Sequence, residues 1–192
     1  MAGTDAATIS PDWNALYAAA LPQAGYVTTN DVREAGYSSP LVEYHVRTGR
    51  LQRVERGIFR VTHFPASEHE DLVIAWLWSK HEGIFSHETA LALHELSDVL
   101  PSKQHLTLPL TWQRRRLRVP ATLILHFATI SKDATAWVGA VPVTTPLRTL
   151  ADCAANSTPR EFVTQAMKQG VKRGLFNLAA AKLAIAGKAK HR

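Results

Sequence analysis

The run GYVTTNDVREAGYSSPLVEYHVRTGRLQRVERGIFRVT, from Gly25 to Thr62, decides the fold of the N-terminal part of this chain. A first helix is predicted over residues 30–35. Thr28 or Thr29 can cap it, because a threonine hydroxyl accepts from the unbonded N–H groups of a first turn. Gly36 follows the helix and permits the left-handed exit with which many helices end.

A second helix is predicted almost immediately after the first. Ser38 or Ser39 can cap it, and Pro40 suits its first position, where the N–H that proline lacks would be unbonded anyway. Gly49 can end it. Two short helices joined by a turn that contains glycine form a helix-turn-helix.

The residues after Gly49 change from a helical to an alternating pattern, which predicts a β-hairpin that turns near Arg56 and Gly57. Its apolar positions are Leu51, Val54, Ile58 and Val61. A helix-turn-helix followed by such a hairpin is a winged helix-turn-helix. DNA binding is therefore the leading functional hypothesis.

The second helix has two distinct faces. Val42, His45 and Val46 lie at i, i+3, i+4 spacing and are expected to face the core. The opposite face is expected to enter the major groove, where Arg47 can pair with guanine and Glu43 can accept from cytosine. The alternative is that the hairpin arginines are ordinary solvated side chains. The expected DNA-binding residues are Ser38, Ser39, Glu43, Tyr44 and Arg47 on the helix, and Arg50, Arg53, Arg56 and Arg60 on the hairpin.

The charge of the chain is unevenly distributed. The net charge is +6, yet residues 1–64 carry six arginines and six acidic residues and are neutral overall. Residues 65–192 therefore hold the whole excess. Between Arg47 and Arg60, however, five arginines are accompanied by a single acid, Glu55. This predicts a basic edge that suits a phosphate backbone better than the neutral domain charge suggests.

Composition and length are those of a globular protein with one large domain or two small ones. No stretch approaches the ~18 apolar residues of a membrane helix. The N-terminal run MAGTDAATISPDW lacks the basic and apolar regions of a signal peptide. The single Cys153 has no partner for an internal disulfide or a CxxC zinc site. We expect a cytoplasmic protein.

A domain boundary is predicted between residues 64 and 65. Residues 1–64 would form the winged helix-turn-helix domain, and residues 65–192 an α/β domain with a basic C-terminal tail. Helices are expected to begin at Ser67 and Ser86, followed by extended segments between Lys103 and Val143. These segments are HLTLPL, RLRVP, TLILHF and VGAVPVT.

Three further helices are predicted after the extended segments: PLRTLADCAA at 146–155, then 159–169 with a cap from Ser157 or Thr158, then 176–186. The expected fold class is therefore α+β. The winged helix-turn-helix precedes an α/β domain with a small mixed or antiparallel sheet and flanking helices.

A basic patch lies outside the winged helix. The run TWQRRRLRVP places four arginines beside Trp112, at what reads as a loop entering a strand. It is a possible antitoxin or nucleic-acid surface, and a solvated basic turn is the alternative. Its expected members are Arg114, Arg115, Arg116 and Arg118, with Arg148, Lys168, Lys172 and Arg173 as an extension if the last helices fold back over that side.

Three blocks in this order resemble the AbiEi family of antitoxins: the winged-helix run, then IFSHETALALHEL, then VPVTTPLRTLADCA. The resemblance extends from about Gly25 to about Gly174. It implies a winged helix that represses its own promoter at inverted repeats, and an α/β antitoxin domain. It also implies a phage-defence operon with a nucleotidyltransferase-like toxin, counteracted without a stable complex (type IV). His45 departs from the family, in which this position is more often leucine.

Other functional classes remain open. One is an RNA-binding or toxin-binding protein with an auxiliary winged helix. A nuclease is less well supported, because Asp133, Asp152 and Glu161 lack the pairing that a metal-dependent nuclease needs. His87 and His94 share a helix face but lack HExxH spacing, so no metal site is expected. No cofactor is expected either, since no phosphate-binding glycine motif is present. We expect a monomer that pairs on double-stranded DNA and binds no membrane.

Overall fold

The structure is a computed structural model that describes residues 10–156 and 158–189. The described chain divides into two compact units, with the boundary after Trp78. The predicted cap Ser157 and the last residues of the predicted basic tail lie outside the described residues. Within the described part, no helix combines the length and the apolar character that a membrane crossing requires.

The first unit contains four helices and three strands among its described residues. In chain order they are α1 (Trp13–Ala20), β1 (Tyr26–Thr28), α2 (Thr29–Glu34), α3 (Ser39–Arg47), β2 (Leu51–Glu55), β3 (Ile58–Val61) and α4 (Glu70–Trp78). The two helices and the hairpin predicted from the sequence correspond to α2, α3 and β2–β3. Helix α1 and strand β1 were not predicted.

The ends of α2 follow the predicted capping logic. The Thr28 hydroxyl accepts from the backbone N–H of Asp31, and the Asp31 carboxylate accepts from the backbone N–H of Thr28, which is a reciprocal capping box. Gly36 has a φ of 84° after the helix. Ser38 occupies the cap position of α3, as predicted, but its side chain makes no capping hydrogen bond.

Strands β1, β3 and β2 form an antiparallel three-stranded sheet in that order. The register shifts between Arg53 and Glu55, which marks a bulge in the hairpin. The hairpin turns at Gly57, whose φ of 79° favours glycine. Leu16 of α1, Val42 of α3 and the inward residues of the sheet form one buried core. This unit is a winged helix-turn-helix.

Helix α4 belongs with the first unit. The Tyr26 hydroxyl donates to Glu70 at 2.7 Å, and Arg60 donates to the same carboxylate at 3.2 Å. The unit boundary after Trp78 therefore differs from the boundary predicted between residues 64 and 65. The helix predicted from Ser67 is also shorter than expected, since α4 begins at Glu70.

The second unit contains four helices and five strands among its described residues. They are β4 (Ile84–Phe85), α5 (His87–Leu93), β5 (Gln104–Leu108), β6 (Leu123–Phe127), β7 (Thr135–Val138), β8 (Val141–Thr144), α6 (Pro146–Ala155), α7 (Arg160–Lys172) and α8 (Leu178–Ala189). The last three helices match the predicted ones with shifted ends. Thr158 does not cap α7, because its hydroxyl donates to Glu88 instead.

The five strands form a mixed sheet in the order β6-β5-β4-β8-β7. The pairs β5–β6 and β4–β8 are parallel, and the pairs β4–β5 and β7–β8 are antiparallel. The α+β class and the mixed sheet agree with the prediction. The prediction of a strand at RLRVP is wrong. This segment lies in the connection that joins β5 to β6. Parallel neighbours cannot be joined by a hairpin.

The helices of the second unit pack around a core of their own. Leu91, Leu150, Cys153 and Ala166 are fully buried in it. Burial raises the pKa of the Cys153 thiol to about 12. The thiol is thus protonated at neutral pH and acts as a small apolar group.

Candidate nucleic-acid interface

Helix α3 presents the polar face that the sequence predicts. Val42 and His45 are buried, whereas Glu43, Tyr44 and Arg47 are exposed. Tyr44 is 48% exposed. The Arg47 guanidinium lies 5.8 Å from the Tyr44 ring centroid, within reach of a cation–π contact. One turn of α3 therefore offers an aromatic surface and a forked donor together.

The wing is held to α3 by an ion pair. Arg53 of β2 donates to the Glu43 carboxylate, and both side chains are largely exposed. The Arg53 guanidinium also lies 5.1 Å from the ring of Phe59, its neighbour across the hairpin. Glu43 is thereby partly neutralised, which matters because an unpaired carboxylate would repel a phosphate backbone.

Arg50 and Arg56 are exposed at opposite ends of the hairpin. The Arg50 guanidinium stacks over the indole of Trp13 at 4.2 Å. Arg56 precedes the turn at Gly57, at the tip of the wing, where a duplex would be within reach.

Arg60 lies in a different place from the other predicted DNA-binding residues. Its side chain is 17% exposed and donates to the Glu70 carboxylate and to the backbone oxygen of Phe64. It also lies 5.8 Å from the Tyr26 ring centroid. Arg60 therefore holds α4 against the sheet, and its charge is compensated there. The expectation that Arg60 contacts DNA is therefore not retained.

A groove of about 320 Å³ runs along the N-terminal end of α3. It brings together Ser38, Ser39 and Glu43 of the predicted set with Arg53 of the wing. Arg33 of α2 lines the same groove and was missed by the sequence reasoning. The signal that would have found it is its place in the last turn of α2, directly before the tight turn into α3.

His45 occupies an apolar, aromatic site beneath this face. Its ring lies 5.6 Å from Trp13 and 5.5 Å from Tyr37, centroid to centroid. Burial, with a smaller effect of the Arg50 charge, lowers the pKa of His45. Its Nδ1 atom is buried and makes no hydrogen bond within the described part of the chain. The imidazole is therefore neutral and only partly satisfied.

Residues 14–62 match the family model described as transcriptional regulator, AbiEi antitoxin. Over these residues the chain is similar to AbiEi regulators. The match confirms the family resemblance over the winged helix, and the AbiEi family is one of antitoxins that regulate transcription. The later sequence blocks lie outside the matched residues.

No curated protein matches the sequence significantly. Among solved structures, the chain is similar to the crystal structure of the RV2827C protein from Mycobacterium tuberculosis. The TM-score is 0.46 at 14% identity, and the superposition covers 89% of this chain and 79% of that chain.

Beyond the AbiEi segment, the predicted basic patch of the second unit is an exposed loop. Arg114, Arg115, Arg116 and Arg118 are all exposed. The Arg115 guanidinium stacks on Trp112 at 4.4 Å, and the Trp112 indole donates to Glu82 at 3.0 Å. This pair of contacts anchors one side of the loop.

Two of the residues predicted to extend the patch, Arg148 and Arg173, make polar contacts with other residues. Arg148 Nε lies 2.9 Å from each carboxylate oxygen of Asp152, one turn further along α6. Arg173 donates to the backbone oxygen of His94 at 2.6 Å and so caps the C-terminal end of α5. Lys172 is exposed at the end of α7. Arg148 lines a cleft together with Gln113, which directly precedes the arginines of the basic loop.

Proposed function

We propose that this protein is a DNA-binding autorepressor and antitoxin of a type IV toxin–antitoxin system. The observation that carries the proposal is the exposed face of α3 beside an arginine-bearing wing, within a segment that matches AbiEi regulators. The DNA would be the protein's own promoter, bound at inverted repeats. The functional partner would be a nucleotidyltransferase-like toxin, counteracted without a stable complex.

The proposed DNA contacts divide into two kinds. Tyr44 and Arg47 project from α3 toward base edges, with Arg47 suited to a bidentate contact with guanine. Ser38 and Ser39 begin the helix, where hydroxyls and backbone amides suit a phosphate. Arg33, Arg50, Arg53 and Arg56 surround the helix and would neutralise the backbone.

Glu43 positions the Arg53 side chain in this interface. Its carboxylate holds Arg53 and so links the wing to α3. When a duplex arrives, Arg53 can exchange the carboxylate for a phosphate. Glu43 is then released to accept from a cytosine amino group, as its place on the helix predicts.

The direct test is fluorescence anisotropy of the whole protein. Three probes of equal length are needed: a duplex from its own upstream region, a shuffled duplex of the same composition, and a tRNA fragment. We expect the upstream duplex to bind most tightly, and a reporter driven by that promoter to be repressed. Equal binding to both duplexes would refute operator recognition.

A second candidate function is RNA or toxin binding through the second unit. The four exposed arginines of this loop favour it, because a cluster of exposed guanidinium groups suits the phosphate backbone of a nucleic acid. Tighter binding of the tRNA fragment than of the upstream duplex would support this candidate over the first.

A further inference from the structure

Three histidines from separate elements meet in the second unit. His87 is the first residue of α5, His105 lies in β5 and His126 lies in β6. In the parallel β5–β6 pair, His126 lies opposite Thr107, two residues along the strand from His105. The two rings therefore project from the same face of the sheet. His87 reaches that face because only one residue separates it from the end of β4, the other neighbour of β5.

The three rings are close enough to share one ion. His105 Nδ1 lies 3.1 Å from His126 Nε2, and the rings of His87 and His126 stack with their centroids 3.7 Å apart. One nitrogen from each of the three residues can be chosen so that all lie within 4.8 Å of one another. Two imidazole nitrogens on one tetrahedral zinc ion are about 3.3 Å apart, given Zn–N bonds of about 2.0–2.1 Å.

Outer partners orient two of the rings as they do in histidine metal sites. Ser86 Oγ lies 2.9 Å from His87 Nδ1 and 2.7 Å from Thr107 Oγ1. The Glu88 carboxylate lies 4.0 Å from His105 Nε2 and accepts from Thr158. In metal sites, the ring nitrogen that does not bind the ion usually faces a hydroxyl, carbonyl or carboxylate. His105 Nδ1 then faces His126 Nε2, and the outer contact of His87 Nδ1 leaves its Nε2 as the nitrogen that would bind the ion.

Burial and backbone conformation set these histidines apart from ordinary surface side chains. Burial lowers the pKa of His105, and burial together with the neighbouring His105 lowers the pKa of His126 to about 4. His87 has a φ of 51°, a left-handed conformation that is uncommon outside glycine and that recurs at binding sites.

We propose that His87, His105 and His126 bind one divalent transition metal ion of the zinc type. Three protein ligands leave one coordination position for water or for a ligand anion. His87 and His126 also line a cleft of about 370 Å³, whose wall includes Arg148 and Gln113. A ligand in the remaining position would enter from this cleft, where the Arg148 guanidinium is paired with Asp152. The sequence analysis expected no metal site, and His94, which shares a helix with His87, is not part of this one, since its Nε2 contacts the backbone oxygen of Thr144.

The test uses the full chain stripped of metal with a chelator and titrated with Zn²⁺ by calorimetry. We expect one ion per chain. His87→Gln and His126→Gln should each weaken Zn²⁺ binding by more than about 100-fold, because removal of an outer partner alone typically costs 10–100-fold. His63→Gln is the matched control, because His63 is an exposed histidine of the first unit. It should leave the affinity unchanged.

A second measurement does not depend on any variant folding. Co²⁺ added to the stripped wild-type chain should give the visible d–d bands of a four-coordinate site with nitrogen ligands, and Zn²⁺ should displace them. Absence of these bands, or a Zn²⁺ affinity that His126→Gln and His63→Gln change equally, would overturn the site. In that case His105 and His126 only share a hydrogen-bonded proton. DNA binding by α3 is a separate property, so loss of one leaves the other intact.

Discussion

At the scale of single residues, Arg47 and His45 show how one helix separates recognition from packing. They are two positions apart in α3, so they lie on opposite faces of it. Arg47 is exposed beside Tyr44, whereas His45 is buried between Trp13 and Tyr37. A substitution at Arg47 should therefore change DNA affinity, and a substitution at His45 should change the stability of the first unit.

Arg47→Ala is expected to weaken binding to the upstream duplex by about 1–3 kcal/mol and to weaken binding to shuffled DNA much less, because a bidentate contact with guanine is lost. Anisotropy titrations at fixed salt measure both affinities. Arg160→Ala removes an exposed arginine of α7 and is the control. An equal loss on both duplexes would instead assign Arg47 to a phosphate.

His45→Leu is expected to stabilise the first unit by about 1 kcal/mol, because it removes a buried nitrogen that has no partner in the described chain. The substitution should also make the stability of the first unit depend less on pH. The pKa of His45 is lowered in the folded state, so below the unfolded pKa of about 6.5 the unfolded chain binds the extra proton. The wild type therefore loses stability as pH falls through and below that value.

Scanning calorimetry of both proteins at several pH values between about 5 and 8 measures the difference. Other histidines with lowered pKa, His94, His105 and His126, contribute equally to both proteins and cancel in the comparison. A difference in unfolding temperature that does not grow toward acid pH would contradict the assignment of a neutral His45.

At the scale of elements, the hairpin arginines have separate tasks although the sequence groups them. Arg60 is in the central strand and fastens α4 through Glu70. Arg53 is tied to α3 through Glu43. Arg56 is at the exposed tip, and the structure records no charged partner for it. The strands of the wing are thus a fixed support, and the exposed charges of Arg50 and Arg56 lie at its two ends.

Arg56→Ala is expected to weaken all duplexes alike and to lower the slope of log affinity against log salt by about one unit, since one phosphate contact is lost. Arg60→Ala is the comparison from the same hairpin. It should leave that slope unchanged and lower the unfolding temperature instead, because it leaves Glu70 without its ion pair. A salt slope that Arg56→Ala does not alter would show that the tip arginine is merely solvated.

At the scale of the whole molecule, the two units are proposed to act independently. The first carries the AbiEi segment, and the second carries the exposed basic loop and the excess positive charge. A single winged helix covers only part of an operator, so two copies are needed for an inverted repeat.

We expect a monomer in solution and two copies on one duplex that contains both half-sites. Light scattering of the free protein and of the complex gives the two masses. A duplex with one half-site should bind a single copy and is the control. A stable dimer of the free protein at micromolar concentration would contradict this expectation.

Repression and toxin neutralisation should be separable in the full chain. Arg47→Ala should reduce repression of the promoter and retain rescue from the toxin. Charge reversal of Arg114, Arg116 and Arg118 to glutamate should do the opposite, because these side chains are exposed, and Arg115 is kept because it stacks on the buried Trp112. A promoter reporter and growth with the induced toxin measure the two activities. Loss of both activities in both variants would show that antitoxin action is repression alone.

Local sequence determined the helix-turn-helix and the hairpin of the winged helix, but not α1 or β1. The cap at Thr28, the glycine at 36, the serine–proline start of α3 and the turn at Gly57 each act within a few residues, so their effect is visible in the chain itself. The mixed α+β class also followed from the order of helical and extended patterns. Such signals need no knowledge of what lies nearby in space.

Only the tertiary structure decided which charges are free and which side chains meet. Arg60 pairs with Glu70, Glu43 with Arg53, and His87 meets His105 and His126, although 10 to 39 positions separate the members of these sets. The segment RLRVP became a connection because β5 and β6 turned out to be parallel neighbours. Strand order and long-range pairing are set by packing of the whole sheet, which leaves no local signature in a single sequence.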